Sequence, residues 1–132
     1  MTRQKMWSHF TTNSTCVSPK TPVWKAWKVL CDFGHEVLPV HNGNRVVGVI
    51  QEKDLFPNPF HEQDSLEVET LMKPNPLLVC VNDMVLDVIQ LLVSQKKPAA
   101  VVVNKRSQVL GIFTLHQAQS LAKNIVSNSG SR

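Results

Sequence analysis

Val37-Leu38-Pro39-Val40-His41-Asn42-Gly43-Asn44-Arg45-Val46-Val47-Gly48-Val49-Ile50 reads as two strands around a turn. Apolar residues crowd both sides of Asn42-Gly43, and both of those residues tolerate the positive φ of a tight hairpin. A shift of 62 residues brings Ala99-Ala100-Val101-Val102-Val103 into the place of Val37–His41. Residues 109–113, Val-Leu-Gly-Ile-Phe, then match 46–50 at a shift of 63, with the extra residue in the charged turn 104–108. Runs such as Ala-Ala-Val-Val-Val predict strands covered on both faces.

The repeat extends outward from the hairpins. Asn13 meets Asn75, Val17 meets Val79 and Val23 meets Val85 at the 62-residue shift. Each copy starts with a short extended piece, residues 14–18 and 77–81. A helix follows, and Thr21 before Pro22 in the first copy and Asp83 in the second are expected as its caps. Val23, Ala26, Trp27 and Leu30 fall at i, i+3, i+4 and i+7, as do Val85, Val88, Ile89 and Leu92, so each helix buries one stripe. Trp24 lies off that stripe and is expected at a dimer face or against the Trp7 segment. After the hairpin the second copy has a full helix from Leu115. The first has only residues 52–56 before Pro57 and Pro59 stop it. Residues 57–69 read as a polar connector and 127–132 as a frayed tail. A unit of this size is marginal alone, so the two copies should pack together.

The 132 residues, 42% apolar and 18% charged, suit one small globular domain. Nothing approaches the ~20 consecutive apolar residues of a membrane span, and no apolar run follows the basic N-terminus as in a signal peptide. The expected compartment is therefore cytoplasmic, with no membrane partner. Cys16, Cys31 and Cys80 form no C-x-x-C pair and are expected as small buried hydrophobes. The five histidines have no metal-ligand spacing, and no metal is expected. The net charge of +4 suits an anionic partner, but the basic residues are dispersed and form no stripe, which ranks nucleic acid third among the readings. No nucleotide-triphosphatase loop, serine-hydrolase elbow or zincin helix is present, so no enzyme is expected.

The strand–helix–strand–strand–helix unit in tandem, with the hairpin phrase quoted above, Lys53-Asp54-Leu55, Leu71-Met72-Lys73-Pro74-Asn75-Pro76 and Val109-Leu110-Gly111-Ile112-Phe113-Thr114, resembles the CBS domain pair, or Bateman module. The resemblance covers residues 7–123. It implies an α+β fold of β-α-β-β-α copies, two small sheets packed together with helices outside. Residues 7–60 would be the first motif, 61–70 a linker, 71–126 the second motif and 127–132 a disordered tail. It further implies a stand-alone regulatory module with no required cofactor. Such a module takes AMP, ADP, ATP or S-adenosylmethionine as regulatory ligand, forms a disc-like homodimer and acts on a separate effector protein.

The family's nucleotide signature is Gly, two apolar residues, Thr or Ser, two of any kind, then Asp. A hydroxyl residue opens a helix whose free N–H groups attract phosphate, and the carboxylate in its first turn accepts from the ribose hydroxyls. Each copy holds half of it. The first reads Gly48-Val49-Ile50-Gln51-Glu52-Lys53-Asp54, with the aspartate but no hydroxyl; the second reads Gly111-Ile112-Phe113-Thr114-Leu115-His116-Gln117, with the hydroxyl but no aspartate. The resemblance makes Asp54 the ribose-binding residue and Thr114 the phosphate-side residue, with Gln51 and Gln117 as partial substitutes. Ile50, Val37, Phe113 and Ala99 would wall the adenine, and Lys97 and His35, just before the second strands, would face phosphate. The plainer alternatives are a Thr114–Gln117 capping box and an Asp54 that complements a helix dipole. The split motif predicts at most one good ligand site. It also keeps open a ligand-free dimerisation or docking scaffold.

Overall fold

The computed structural model describes residues 5–6, 9–12, 15–34, 36–55 and 66–130. In chain order these form β1 (Thr11–Thr12), α1 (Val23–Phe33), β2 (Val37–His41), β3 (Val46–Gln51), a 3-10 turn (Glu52–Leu55), α2 (Val68–Leu71), β4 (Lys73–Pro74), β5 (Leu77–Val79), α3 (Val85–Ser94), β6 (Ala99–Val103), β7 (Val109–Thr114) and α4 (Leu115–Gly130). The α+β fold implied by the resemblance is present, with two small sheets.

Strands β2 and β6 are buried on both faces: Val37 to Val40 and all five residues of β6 are buried. Strand side chains alternate in direction, so the two faces feed different cores. Leu38, Val40 and Ile50 pack with Val23, Ala26 and Leu30 of α1. Ala100, Val102 and Phe113 pack with Val85, Val88 and Leu92 of α3 and Ala118 of α4. The alternate residues Val37, Val46 and Val49 meet Ala99, Val101, Val103, Val109 and Ile112 in a third cluster between the sheets. Full burial of such a side chain is worth about 1.5–3 kcal/mol. This shared seam binds the copies to one another.

The copies also exchange strands. The sheet orders are β1-β7-β6-β5 and β2-β3-β4. Thr11 pairs with Ile112 and Thr12 with Gly111, so the first copy's leading strand completes the second sheet. Reciprocally, Lys73 pairs with Val49 and Pro74 with Gly48. Apolar anchors follow the same rule. Met6 is fully buried in the second copy's core and Val68 in the first copy's. Each enters beside a helix start, through Met6 N–H to Asp83 O (2.9 Å) and Val68 N–H to Thr21 O (2.8 Å). Gly48 permits this approach, because a Cβ there would lie 2.7 Å from Lys73 O and 2.8 Å from Met72 Sδ.

Several local expectations change. Thr21 and Asp83 do not cap their helices: the N-caps are Pro22 and Met84, with no side-chain bond. Instead, Thr21 Oγ1 accepts from Ser18 N–H (3.0 Å) and Asp83 Oδ2 from Cys80 N–H (2.8 Å), so each oxygen closes the turn before its helix. The first copy's extended piece reduces to a bridge of Val17 with Val40, and Asn13 and Ser14 lie outside the described residues. The Asn42-Gly43 hairpin forms, but as a wider turn in which Asn42 Oδ1 accepts from Asn44 and Arg45 N–H. Asn104 does the same for Arg106 and Gln108. Residues 66–69 are an ordered part of the first copy rather than polar connector, because Val68 anchors them. Helix α4 runs to Gly130, since no proline or earlier glycine ends it, so 127–130 are helical where a tail was expected; 131–132 lie outside the described residues. All three cysteines are exposed, because each falls on an outward position of its helix or loop.

Candidate functional site

Strand β3 ends at Gln51 and the chain turns at once into the 3-10 segment. Leu55, 2% exposed, pins that turn into the core and thereby aims Asp54 back at the strand end. Asp54 Oδ2 accepts from Gln51 N–H (2.8 Å). Its Oδ1 accepts from Lys73 Nζ at 2.5 Å, and the same ammonium donates to Gln51 Oε1 at 3.1 Å. Lys73 comes from the exchanged strand β4. Asp54 is thus a nearly buried carboxylate held by one backbone donor and one cation from the other copy.

The second copy builds the same corner without charge. Gln117 N–H donates to Thr114 Oγ1 (3.0 Å) and Gln117 Oε1 accepts from Thr114 N–H (2.9 Å), a reciprocal capping box. Gln117 Oε1 occupies the role of Asp54 Oδ2, one turn into the helix. In register, the position of Lys73 falls on Thr11.

The remaining expected residues divide. Val37 lies directly opposite Gln51, and Ala99 opposite Thr114, so both stand beside the corner residues and face the seam between the sheets. Ile50 and Phe113 do not join them. One residue along the strand from Val49 and Ile112, they point to the opposite faces and are buried under the helices. Lys97 Nζ donates to Asn75 O (2.5 Å), bracing a residue held at φ 58°. His35 lies outside the described residues.

At the mouth of the first corner, Glu36, Gln51, Glu52 and Lys53 line a shallow depression of about 280 Å³. Among the described residues, no group of three His, Cys, Asp or Glu is placed to hold a metal ion, and no helix is long and apolar enough to cross a membrane. Neither Lys73 nor the cross-copy contact of His41 was anticipated from the sequence. Gly43 N–H donates to His41 Nδ1 (2.9 Å), so the ring's Nε2–H is the donor to Ser107 O (2.9 Å). The Lys73 contact depends on strand exchange, for which the only sequence signal is that Lys73 repeats Thr11 at the 62-residue shift.

These features define a tandem of two β-α-β-β-α copies that share a seam and trade leading strands. The family model for the CBS domain matches residues 68–119. The crystal structure of CBSX2 in complex with AMP is 28% identical, covers 92% of this chain and 97% of its own, and superposes with a TM-score of 0.73. CBSX2 from Arabidopsis thaliana is similar in another crystal structure at 26% identity, with 92% and 95% covered and a TM-score of 0.71. The CBS domain of a bacterial CNNM/CorC family Mg2+ transporter, in complex with ATP, shares the fold at 19% identity, with 88% and 84% covered and a TM-score of 0.72. No curated protein sequence matches the chain. Residues 68–119 thus match the CBS-domain family model, and the chain as a whole is similar in fold to CBS-pair proteins.

Proposed function

We propose that this chain is a CBS-pair regulatory module that binds an adenine nucleotide at the first copy's corner and passes the signal to a separate protein. The observation that carries the reading is Asp54. It is a nearly buried carboxylate at a strand end beside Val37 and Gln51, with one oxygen already oriented by the Gln51 N–H. A carboxylate so placed accepts hydrogen bonds from a ribose diol. The likeness to CBSX2, a structure of which holds AMP, supports the ligand class. The second corner offers an amide already committed to Thr114, so one site per chain is expected. The reading includes ADP, ATP and S-adenosylmethionine as competitors for the same corner. Calorimetry with the four ligands tests it: binding below millimolar that is lost in Asp54→Ala supports the reading. If none binds and Asp54→Ala changes nothing, it fails.

A second reading is a homodimerisation or docking scaffold that binds no ligand. It is favoured by the outer face of α3, where Leu91 and Val93 are 38% and 58% exposed beside Asp87, Ile89, Gln90 and Ser94. Sedimentation of the wild type against Val93→Asp separates the two. A dimer lost in Val93→Asp while AMP titrates normally assigns this face to assembly and the corner to ligand.

A further inference from the structure

Strand exchange puts a cation from one copy onto the binding corner of the other. An ammonium has three donors, and Lys73 directs one to Asp54 Oδ1 and one to Gln51 Oε1. Asp54 is the acceptor assigned above to the ribose diol, and Gln51 stands at the signature's hydroxyl position. The pair is unequally shielded, with the Asp54 side chain 12% exposed and that of Lys73 41%. The carboxylate is therefore the fixed partner, and the lysine, on a flexible four-carbon stem, is the one able to move. The mouth sharpens the contrast. The depression is lined by two carboxylates, Glu36 and Glu52, and one cation, Lys53, and Asp54 follows Lys53 in the 3-10 turn. Apart from Lys73, the corner is net acidic and repels an anion.

We propose that Lys73 is a charge gate that makes this corner select a phosphorylated nucleoside over the bare nucleoside; this rests on the nucleotide reading above. The ribose diol takes Asp54 by displacing the Lys73 ammonium. A neutral nucleoside then satisfies Asp54 but leaves Lys73 without an anionic partner, whereas a 5′-phosphate gives Lys73 a new one. Lys73 is in this sense a specificity-determining residue, supplied by the second copy to the first.

The test titrates AMP and adenosine by calorimetry into the full chain, as wild type, Lys73→Met and Lys73→Arg. Strand β4 pairs through its backbone, so methionine preserves the strand and much of the stem while removing the charge. The wild type is expected to prefer AMP by about tenfold or more, the worth of one charge-assisted contact. Lys73→Met weakens AMP and strengthens adenosine, bringing the preference to within about threefold, while Lys73→Arg retains it. A second measurement needs no variant: the wild-type preference narrows with rising salt. An unchanged AMP-to-adenosine ratio in Lys73→Met, or a preference insensitive to salt, overturns the gate and leaves the nucleotide reading standing. No binding by any of the three proteins overturns both.

Discussion

Asp54 illustrates how one side chain serves two tasks. Its Oδ2 takes the Gln51 N–H that a strand end leaves unpaired, and its Oδ1 remains directed at a cation. Asp54→Asn is therefore expected to keep the turn while weakening AMP, whereas Asp54→Ala loses both. Paired thermal melts and titrations of the two variants check this. At the surface, Lys20 donates to Glu69 at 2.7 Å, and this bond holds the Glu69 carboxyl below its ordinary range and raises Lys20. A depressed carboxyl adds stability that is present above its unfolded value and lost as pH falls through its folded one. The pair is fully solvated, so the effect is small. A carboxyl-carbon NMR titration is expected to place the Glu69 midpoint below that of an unpaired glutamate; a midpoint at or above it contradicts the pair. Burial pushes the Cys16 thiol up although the residue as a whole is exposed, so its alkylation at neutral pH should be slower than that of a free cysteine.

Among elements, the two helix ends compare directly. Gly34 ends α1 at φ 65°, and its equivalent in the second copy, Lys96, adopts φ 55°. A left-handed residue with a Cβ is strained where glycine is not. Lys96→Gly is expected to stabilise the protein by about 0.5–1 kcal/mol in urea unfolding; a loss of stability contradicts the strain argument. Gly48→Ala does the opposite, because the new Cβ strikes the β4 backbone. It should cost about 1–3 kcal/mol, and the displaced β4 should take Lys73, and with it the preference for AMP over adenosine, away. The main hairpins were legible in the sequence for a plain reason: doubly buried runs around asparagine turns leave a dense local signal. The exchanged strands β1 and β4 were not. Each is two residues long, and nothing local says which sheet it will join. Asp54 was legible because its neighbours along the chain carry the pattern. Its partner Lys73, 19 residues away, was hidden behind that unread pairing. Ile50 and Phe113 lie under the helices rather than at the seam, because a strand's alternation makes one residue's difference a change of face.

At the scale of the molecule, the copies are interlocked rather than side by side. The arm carrying Met6 and β1 belongs in space to the second copy, and the segment carrying Val68 and β4 belongs to the first. Cutting the chain between them separates each core from its anchor. Fragments 1–65 and 66–132 are expected to lack a cooperative melt alone and to regain one when mixed; an independent melt of either would show that exchange is dispensable. In the proposed reading the same interlock links the first corner to the second copy, since Lys73 lies on β4 of the second and bonds Asp54 of the first. Titration of AMP into the wild type and Asp54→Ala tests the central claim most directly. The account predicts saturation below millimolar with one site per chain in the wild type and none in the variant. Equal binding by the two proteins, or binding by neither, would contradict it.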